Sequence, residues 1–289
     1  MSVEDKVVVV TGGARGMGRA YVNAFLEKGA KVAALDLSWT PSGQSNDQDD
    51  TFYKELAAND NALMITCDIT DNEQIEDAYD ETIKKFGTVD VLINNANLLP
   101  SVQFPPTGDM KVLDTTDADW EKHFAISVFG TLKVTRTFIR PMLAQERGSV
   151  IMISSRGGNT MPYGDGVSWV LRRPKSREVP YQQAKAAVTA LAGYLAEDVK
   201  ENNVAVNVIN PTGARTTGYE EKTAARAAVA GRTQEGGIGF RGAKPEHVVP
   251  LALFLAEQEG RTGVTGRIFD VVEWNQANGF GGPEVWNVE

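Results

Sequence analysis

Short β-branched runs separated by amphipathic stretches recur along this chain, and that alternation limits its fold more than any other feature. The runs are "KVVVVT" (6–11), "KVAALD" (31–36), "ALMITC" (62–67), "VDVLIN" (89–94), "SVIMIS" (149–154), "VAVNVI" (204–209) and "GRIFDV" (266–271). They are almost continuously apolar, as strands covered on both faces must be. The stretches 16–28, 72–86, 117–145, 181–201 and 245–257 place apolar residues at helical spacing. Strand and helix in strict alternation imply an α/β chain: a doubly wound parallel sheet of about seven strands with helices on both faces. No linker composition interrupts the pattern, so residues 1–289 read as one domain. The polar segment 39–50 is expected to be a loop after the second strand, and 160–178 and 273–289 a loop insertion and a tail.

Bulk charge narrows the partners. A net charge of -9 disfavours nucleic acid and anionic membrane surfaces, both of which select a basic face. Cys67 is the only cysteine, which excludes an internal disulfide, and its apolar neighbours predict burial. The acidic start "MSVED" resembles neither a signal peptide nor a spanning segment, and a cytoplasmic protein is the default expectation. His123 and His247 are far apart in the sequence, so no metal site is expected.

The first strand runs directly into "TGGARGMG". Gly12, Gly16 and Gly18 stand where backbone must turn sharply and approach a phosphate, and the N–H groups opening the next helix, with Arg15 and Met17, face the anion. The second strand ends in Asp36, 18 residues after Gly18. A carboxylate there accepts hydrogen bonds from both ribose hydroxyls and repels a 2′-phosphate, which favours NAD over NADP. Arg15 is the competing signal. Its charge could neutralise the diphosphate of either cofactor, so Asp36, acting on the group that differs, is expected to prevail.

A phenol acting as base near neutral pH needs its pKa brought down by about 3 units, or ~4 kcal/mol. A lysine four residues later on a helix is a local source of that stabilisation. Of the seven tyrosines only Tyr181 has a basic residue at that offset, Lys185. The pair opens the helix after the fifth strand, whose C-terminal end carries Ser154 and Ser155. Ligands bind at such strand ends in open α/β sheets.

With "TGGARGMG", Asp36, "CDIT", "NNAN", "ISS", "YQQAK", "NPTGART" and "VTGRIFDV" in this order, the chain resembles the single-domain short-chain dehydrogenases/reductases over roughly residues 5–272. The resemblance implies a hydride-transferring oxidoreductase acting on a secondary alcohol or ketone, with Tyr181 as acid/base. It further implies that Ser155 orients the substrate oxygen and that Lys185 binds the nicotinamide ribose. Asp68 and Ile69 would hold the adenine, and Asn94, Asn95 and Ala96 would line the groove. Pro211 and Thr216 would pack beside the carboxamide. Ser154 is the weaker candidate for the serine role. A homo-oligomer, tetramer or dimer, is also implied.

Three positions depart from the family pattern. Ser127 in "FAISVFGTL" aligns with an asparagine that completes the catalytic set, and Asn97 and Thr212 stand where glycine is usual. They keep open the reading of a degenerate cofactor-binding protein. An epimerase or dehydratase on the same fold is a further alternative, but it would favour a second substrate-binding lobe, for which 210–289 is too short and helical. Aromatic residues including Phe104, Tyr163, Trp169 and Trp274 could line a substrate pocket or anchor their own segments. Arg156, Arg172, Arg173, Lys175 and Arg177 form a basic cluster that reads first as a solvated loop.

Overall fold

Seven parallel strands form one sheet in the order β3-β2-β1-β4-β5-β6-β7 in the computed structural model. It describes residues 2–42, 49–98, 112–156, 179–211, 213–214 and 242–287. The strands are β1 (Val7–Thr11), β2 (Lys31–Asp36), β3 (Ala62–Thr66), β4 (Val91–Asn94), β5 (Gly148–Ile153), β6 (Val204–Asn210) and β7 (Ile268–Asp270). Helices follow β1, β2 and β3 as α1 (Gly16–Glu27), α2 (Thr51–Ala57) and α3 (Asn72–Phe86). After β4 come α4 (Asp117–Phe124), α5 (Thr131–Phe138) and α6 (Arg140–Ala144). The later helices are α7 (Tyr181–Val199), α8 (Val249–Ala256), α9 (Val271–Ala277) and α10 (Pro283–Trp286).

Period-two alternation along the strands divides the core into two layers. Val9, Leu92, Val150 and Val206 point to one face, where α3, α5 and α7 contribute Ile75, Phe138 and Val188. Val8, Val10, Ile93, Ile151 and Ile209 point to the other, against Tyr21 and Phe25 of α1 and Leu251 and Leu255 of α8. Among the described residues no helix is long and apolar enough to cross a membrane.

The stretch 117–145, read as one helical pattern, is divided. Ala125–Gly130 takes π-helical geometry between α4 and α5, and α6 starts afresh with Pro141 in its first turn. Proline has no N–H to continue the preceding ladder but fits a helix start. Gly130 sits so close to Ile69 that a Cβ there would lie 2.9 Å from its Cδ1, which fixes the π segment against the loop after β3. Residues beyond β7 also differ from a free tail. Asp270 accepts from Val272 N and Glu273 N and so opens α9 directly, while Lys244 N donates to Trp286 O. Trp274 stacks on Phe280 and packs against Phe254, anchoring this segment.

At the opposite end of the sheet Asp90, 6% exposed, ties three elements together. It accepts from Val7 N at 2.9 Å and from the Arg147 guanidinium at 3.1 Å. Asp90→Ala leaves the buried Val7 N–H without its acceptor and is expected to lower unfolding free energy by about 2 kcal/mol. A denaturant titration reads this as a lower midpoint with unchanged slope.

Candidate active site

The chain leaves β1 for β2 and β3 on one side, then returns to β4 on the other. The crevice at the C-terminal ends of β1 and β4 is therefore the topological switch point, where ligands bind in such sheets. Gly12 adopts φ +67°, in the left-handed region that disfavours side chains. A Cβ on Gly18 would lie 1.8 Å from Gly12 O, so the first turn of α1 rests on the glycine loop with no space between them. No side chain caps α1, leaving its first N–H groups for an anion.

Asn95 secures this cradle instead of reaching into it. Its Nδ2 donates to Thr11 O and Gly12 O at 3.0 and 3.1 Å, and Thr11 Oγ1 accepts from Asn95 N and Ala96 N. Asn94 is likewise turned away, donating to Thr135 Oγ1 from a buried position. The two asparagines expected along the groove thus shape it through the backbone, and Ala96 is the residue whose Cα faces Gly12.

Asp36 lies at the edge of the same crevice. Its carboxylate accepts from Ala14 N at 2.9 Å and Leu37 N at 2.8 Å. Burial raises its pKa and these backbone donors oppose the rise. Arg15 extends past it to donate to Thr40 O at 2.8 Å, so both signs of charge stand where β2 ends. Asp68 Oδ1 accepts from Thr70 N and Oγ1, and Ile69 packs on Gly130.

Beyond the cradle, β5 and α7 bring Ser155, Tyr181 and Lys185 together. Lys185, 3% exposed, donates from Nζ to Ile153 O at 2.7 Å, and its Nζ is 5.9 Å from the centroid of the Tyr181 ring. Ser154 is spent on structure, donating to Lys185 O at 2.9 Å and bonding Thr189 Oγ1. The side chains of Ser155 and Asn97 lie close enough to the Tyr181 phenol to draw its pKa down through hydrogen bonding. Asn97 Oδ1 in turn accepts from Ser127 Oγ at 2.9 Å. His123, fully buried on α4, meets the Tyr181 ring edge-on at 6.3 Å between centroids.

Electrostatics at this cluster differ from the spacing argument. Lys185 alone was expected to lower the phenol. In the fold, burial pushes Tyr181 up to about 12, and the groups that draw it back are Ser155 and Asn97. Burial also pushes Lys185 down to about 7 and His123 down to about 4. The cause is shared: exclusion of water disfavours the phenolate and the two cations alike. A hydrogen bond that stabilises the phenolate is one the phenol oxygen accepts, so Ser155 and Asn97 act as donors to it.

Sequence reasoning named Ser155, Tyr181, Lys185 and Ser127 but missed that Asn97 joins them. The one signal available was the departure itself, an asparagine in "NNAN" where glycine is usual. Arg156, counted in a basic cluster, is paired with Asp270, its Nη2 donating to Oδ1 at 2.6 Å. Thr212, Thr216, the remainder of 215–241 and the segment 157–178, with Tyr163, Trp169 and the other four basic residues, lie outside the described residues. So does Phe104. Pro211 directly follows β6. Among the described residues no three His, Cys, Asp or Glu side chains are grouped to hold a metal.

Comparison with known proteins gives a consistent pattern. The sequence profile described as short chain dehydrogenase matches residues 6–227. A fluoren-9-ol dehydrogenase of Terrabacter sp. (strain DBF63) is 45% identical over 286 residues, covering 98% of this chain and 75% of that protein. An L-fucose dehydrogenase of Bos taurus is 31% identical, covering 88% and 83%. Among solved structures, a 3-ketoacyl-(acyl-carrier-protein) reductase from Brucella melitensis complexed with NADH superposes with a TM-score of 0.72. It is 22% identical and covers 93% of this chain and 98% of that one, so the likeness establishes the fold. ElxO with NADP bound is similar at a TM-score of 0.71 and 21% identity, covering 92% and 97%.

Proposed function

The chain belongs to the short-chain dehydrogenase family of oxidoreductases, and on that premise we propose that it oxidises a secondary alcohol on an aromatic ring system, with NAD as hydride acceptor. The observation that carries the reading is the convergence of Ser155 and Tyr181, beside Lys185, at the strand ends next to the glycine cradle. The substrate class rests on the fluoren-9-ol dehydrogenase relative, which aligns over 98% of this chain.

The residues present fit a nicotinamide dinucleotide. The tight Gly12–Gly18 contact and the uncapped start of α1 suit the diphosphate, and Asp36 suits the ribose hydroxyls. Asp68 and Ile69 would take the adenine side, Ala96 the groove, Lys185 the second ribose, and Pro211 with Thr216 the carboxamide side. When bound, the nicotinamide ring supplies the hydride acceptor or donor. The protein supplies the proton chemistry. Ser155 holds the substrate oxygen, and the Tyr181 phenol exchanges a proton with that oxygen. Lys185, buried beside Tyr181, is held away from competing water.

Steady-state assays with fluoren-9-ol and either NAD or NADP test this reading. Turnover with NAD exceeding that with NADP supports it, and no oxidation of fluoren-9-ol or related secondary aryl alcohols with either cofactor rejects it. The Asp36 argument has its own check. Asp36→Ala removes the charge facing a 2′-phosphate and is expected to reduce the NAD preference by about tenfold or more in kcat/KM, about 1.4 kcal/mol of discrimination. An unchanged ratio would show that Asp36 does not set the preference.

A further inference from the structure

Two departures from the family pattern, far apart in sequence, meet at one point in the fold. Asn97 follows β4, and Ser127 lies on the π-helical segment Ala125–Gly130. Ser127 is 1% exposed and its hydroxyl donates to Asn97 Oδ1 at 2.9 Å. That bond fixes the orientation of the amide. With Oδ1 committed to Ser127, the group that Asn97 turns toward Tyr181 is Nδ2, a donor only.

We propose that Asn97 is a positioning residue for Tyr181: anchored by Ser127, its amide N–H donates to the phenol oxygen and holds that oxygen where it exchanges a proton with the substrate. This rests on the reading of Tyr181 as the acid/base. Ser155, just past the end of β5, stands at the same oxygen before substrate takes up its hydroxyl. The Ser127 hydroxyl ends at the amide it orients. Both donors favour the phenolate over the phenol, which is the form that accepts a proton from an alcohol. Asn97 therefore influences both where the phenol sits and how readily it ionises.

The arrangement predicts that the two departures compensate each other. Asn97→Gly removes the amide and leaves the buried Ser127 hydroxyl without its acceptor. Ser127→Asn in that background extends an amide from the π segment into the space the Asn97 side chain vacated. Asn97→Gly is expected to lower kcat for fluoren-9-ol by about 10- to 100-fold, with the KM for NAD changed by less than about threefold. The acid limb of the pH profile of kcat/KM moves to higher pH, because a donor to the phenolate is lost. The exchanged pair Asn97→Gly with Ser127→Asn recovers most of the loss. Ser127→Ala, which frees the amide without removing it, gives a smaller loss of the same sign.

A second readout needs no turnover. With Cζ-labelled tyrosine, the resonance that disappears in Tyr181→Phe identifies Tyr181, and its shift at neutral pH reports hydrogen bonding at the phenol oxygen. It is expected to move in Asn97→Gly and to return toward its original position in the exchanged pair. An unmoved resonance together with kcat within twofold of the parent in Asn97→Gly overturns the proposal. If the exchanged pair does not fold, the resonance and pH profile of Asn97→Gly and Ser127→Ala decide. Full turnover in Tyr181→Phe would reject the acid/base reading itself, and the resonance would then judge the Asn97 contact alone.

Discussion

Tyr181→Phe is expected to remove alcohol oxidation almost completely, lowering kcat by roughly 10²- to 10⁴-fold, the range for loss of a general acid/base. The substitution deletes one oxygen and keeps the ring. The ring's edge-on contact with His123 remains, and so does the packing of a residue that opens α7. What disappears is the point on which Ser155 and Asn97 converge. Thermal stability should therefore change little, and cofactor affinity should be retained because the glycine cradle and Asp36 are untouched. His123 offers no substitute base, since burial pushes it down to about 4 and its ring stands beside the phenol, not at the position of the oxygen. Retained turnover on a verified substrate would remove Tyr181 from the mechanism.

Gly18→Ala should produce the largest change in cofactor affinity of any single methyl group. Its Cβ would fall 1.8 Å from Gly12 O and 2.8 Å from Asn95 Nδ2, and the nearer of these is backbone. A rotamer change cannot relieve the contact. The loop must open instead, which breaks the bonds from Asn95 Nδ2 to Thr11 O and Gly12 O and separates the loop from the start of α1. Overpacking together with the lost hydrogen bonds is expected to cost about 2–4 kcal/mol of stability. Calorimetric titration should show NAD affinity reduced by about 100-fold or more, about 2.7 kcal/mol. Gly193→Ala is the control. Nothing lies within 4 Å of a Cβ at Gly193, within α7, so that substitution should be neutral or stabilising by about 0.5–1 kcal/mol.

The sheet was legible because each strand is a local apolar run; β1, β2, β4, β5 and β6 are buried as that pattern implies, while the edge strands β3 and β7 are partly exposed. The same holds for α3, whose start at Asn72 after the capping residue Asp71 and end at Phe86 before Gly87 coincide with the sequence reading. The stretch 117–145 was not legible as separate pieces. Its π segment packs Gly130 against Ile69, a contact between distant parts of the chain that no local pattern reveals. At the site, the residue types pointed to the right neighbourhood, while the direction of each side chain was set by tertiary partners. Asn94 and Asn95 are spent on Thr135 and on the glycine loop, and Asn97, marked only as an oddity, faces Tyr181. The i, i+4 spacing put Tyr181 and Lys185 on one helix face but carried no information on burial, which governs the protonation of both.

Transfer of isotope from substrate to cofactor tests the central claim most directly. Fluoren-9-ol carrying deuterium on its carbinol carbon would be incubated with the protein and NAD, and both products examined by mass spectrometry. The account predicts fluoren-9-one and deuterated NADH in equal amounts from the parent protein, and neither above background from Tyr181→Phe. Ketone without label in the cofactor, or equal transfer by both proteins, would contradict it.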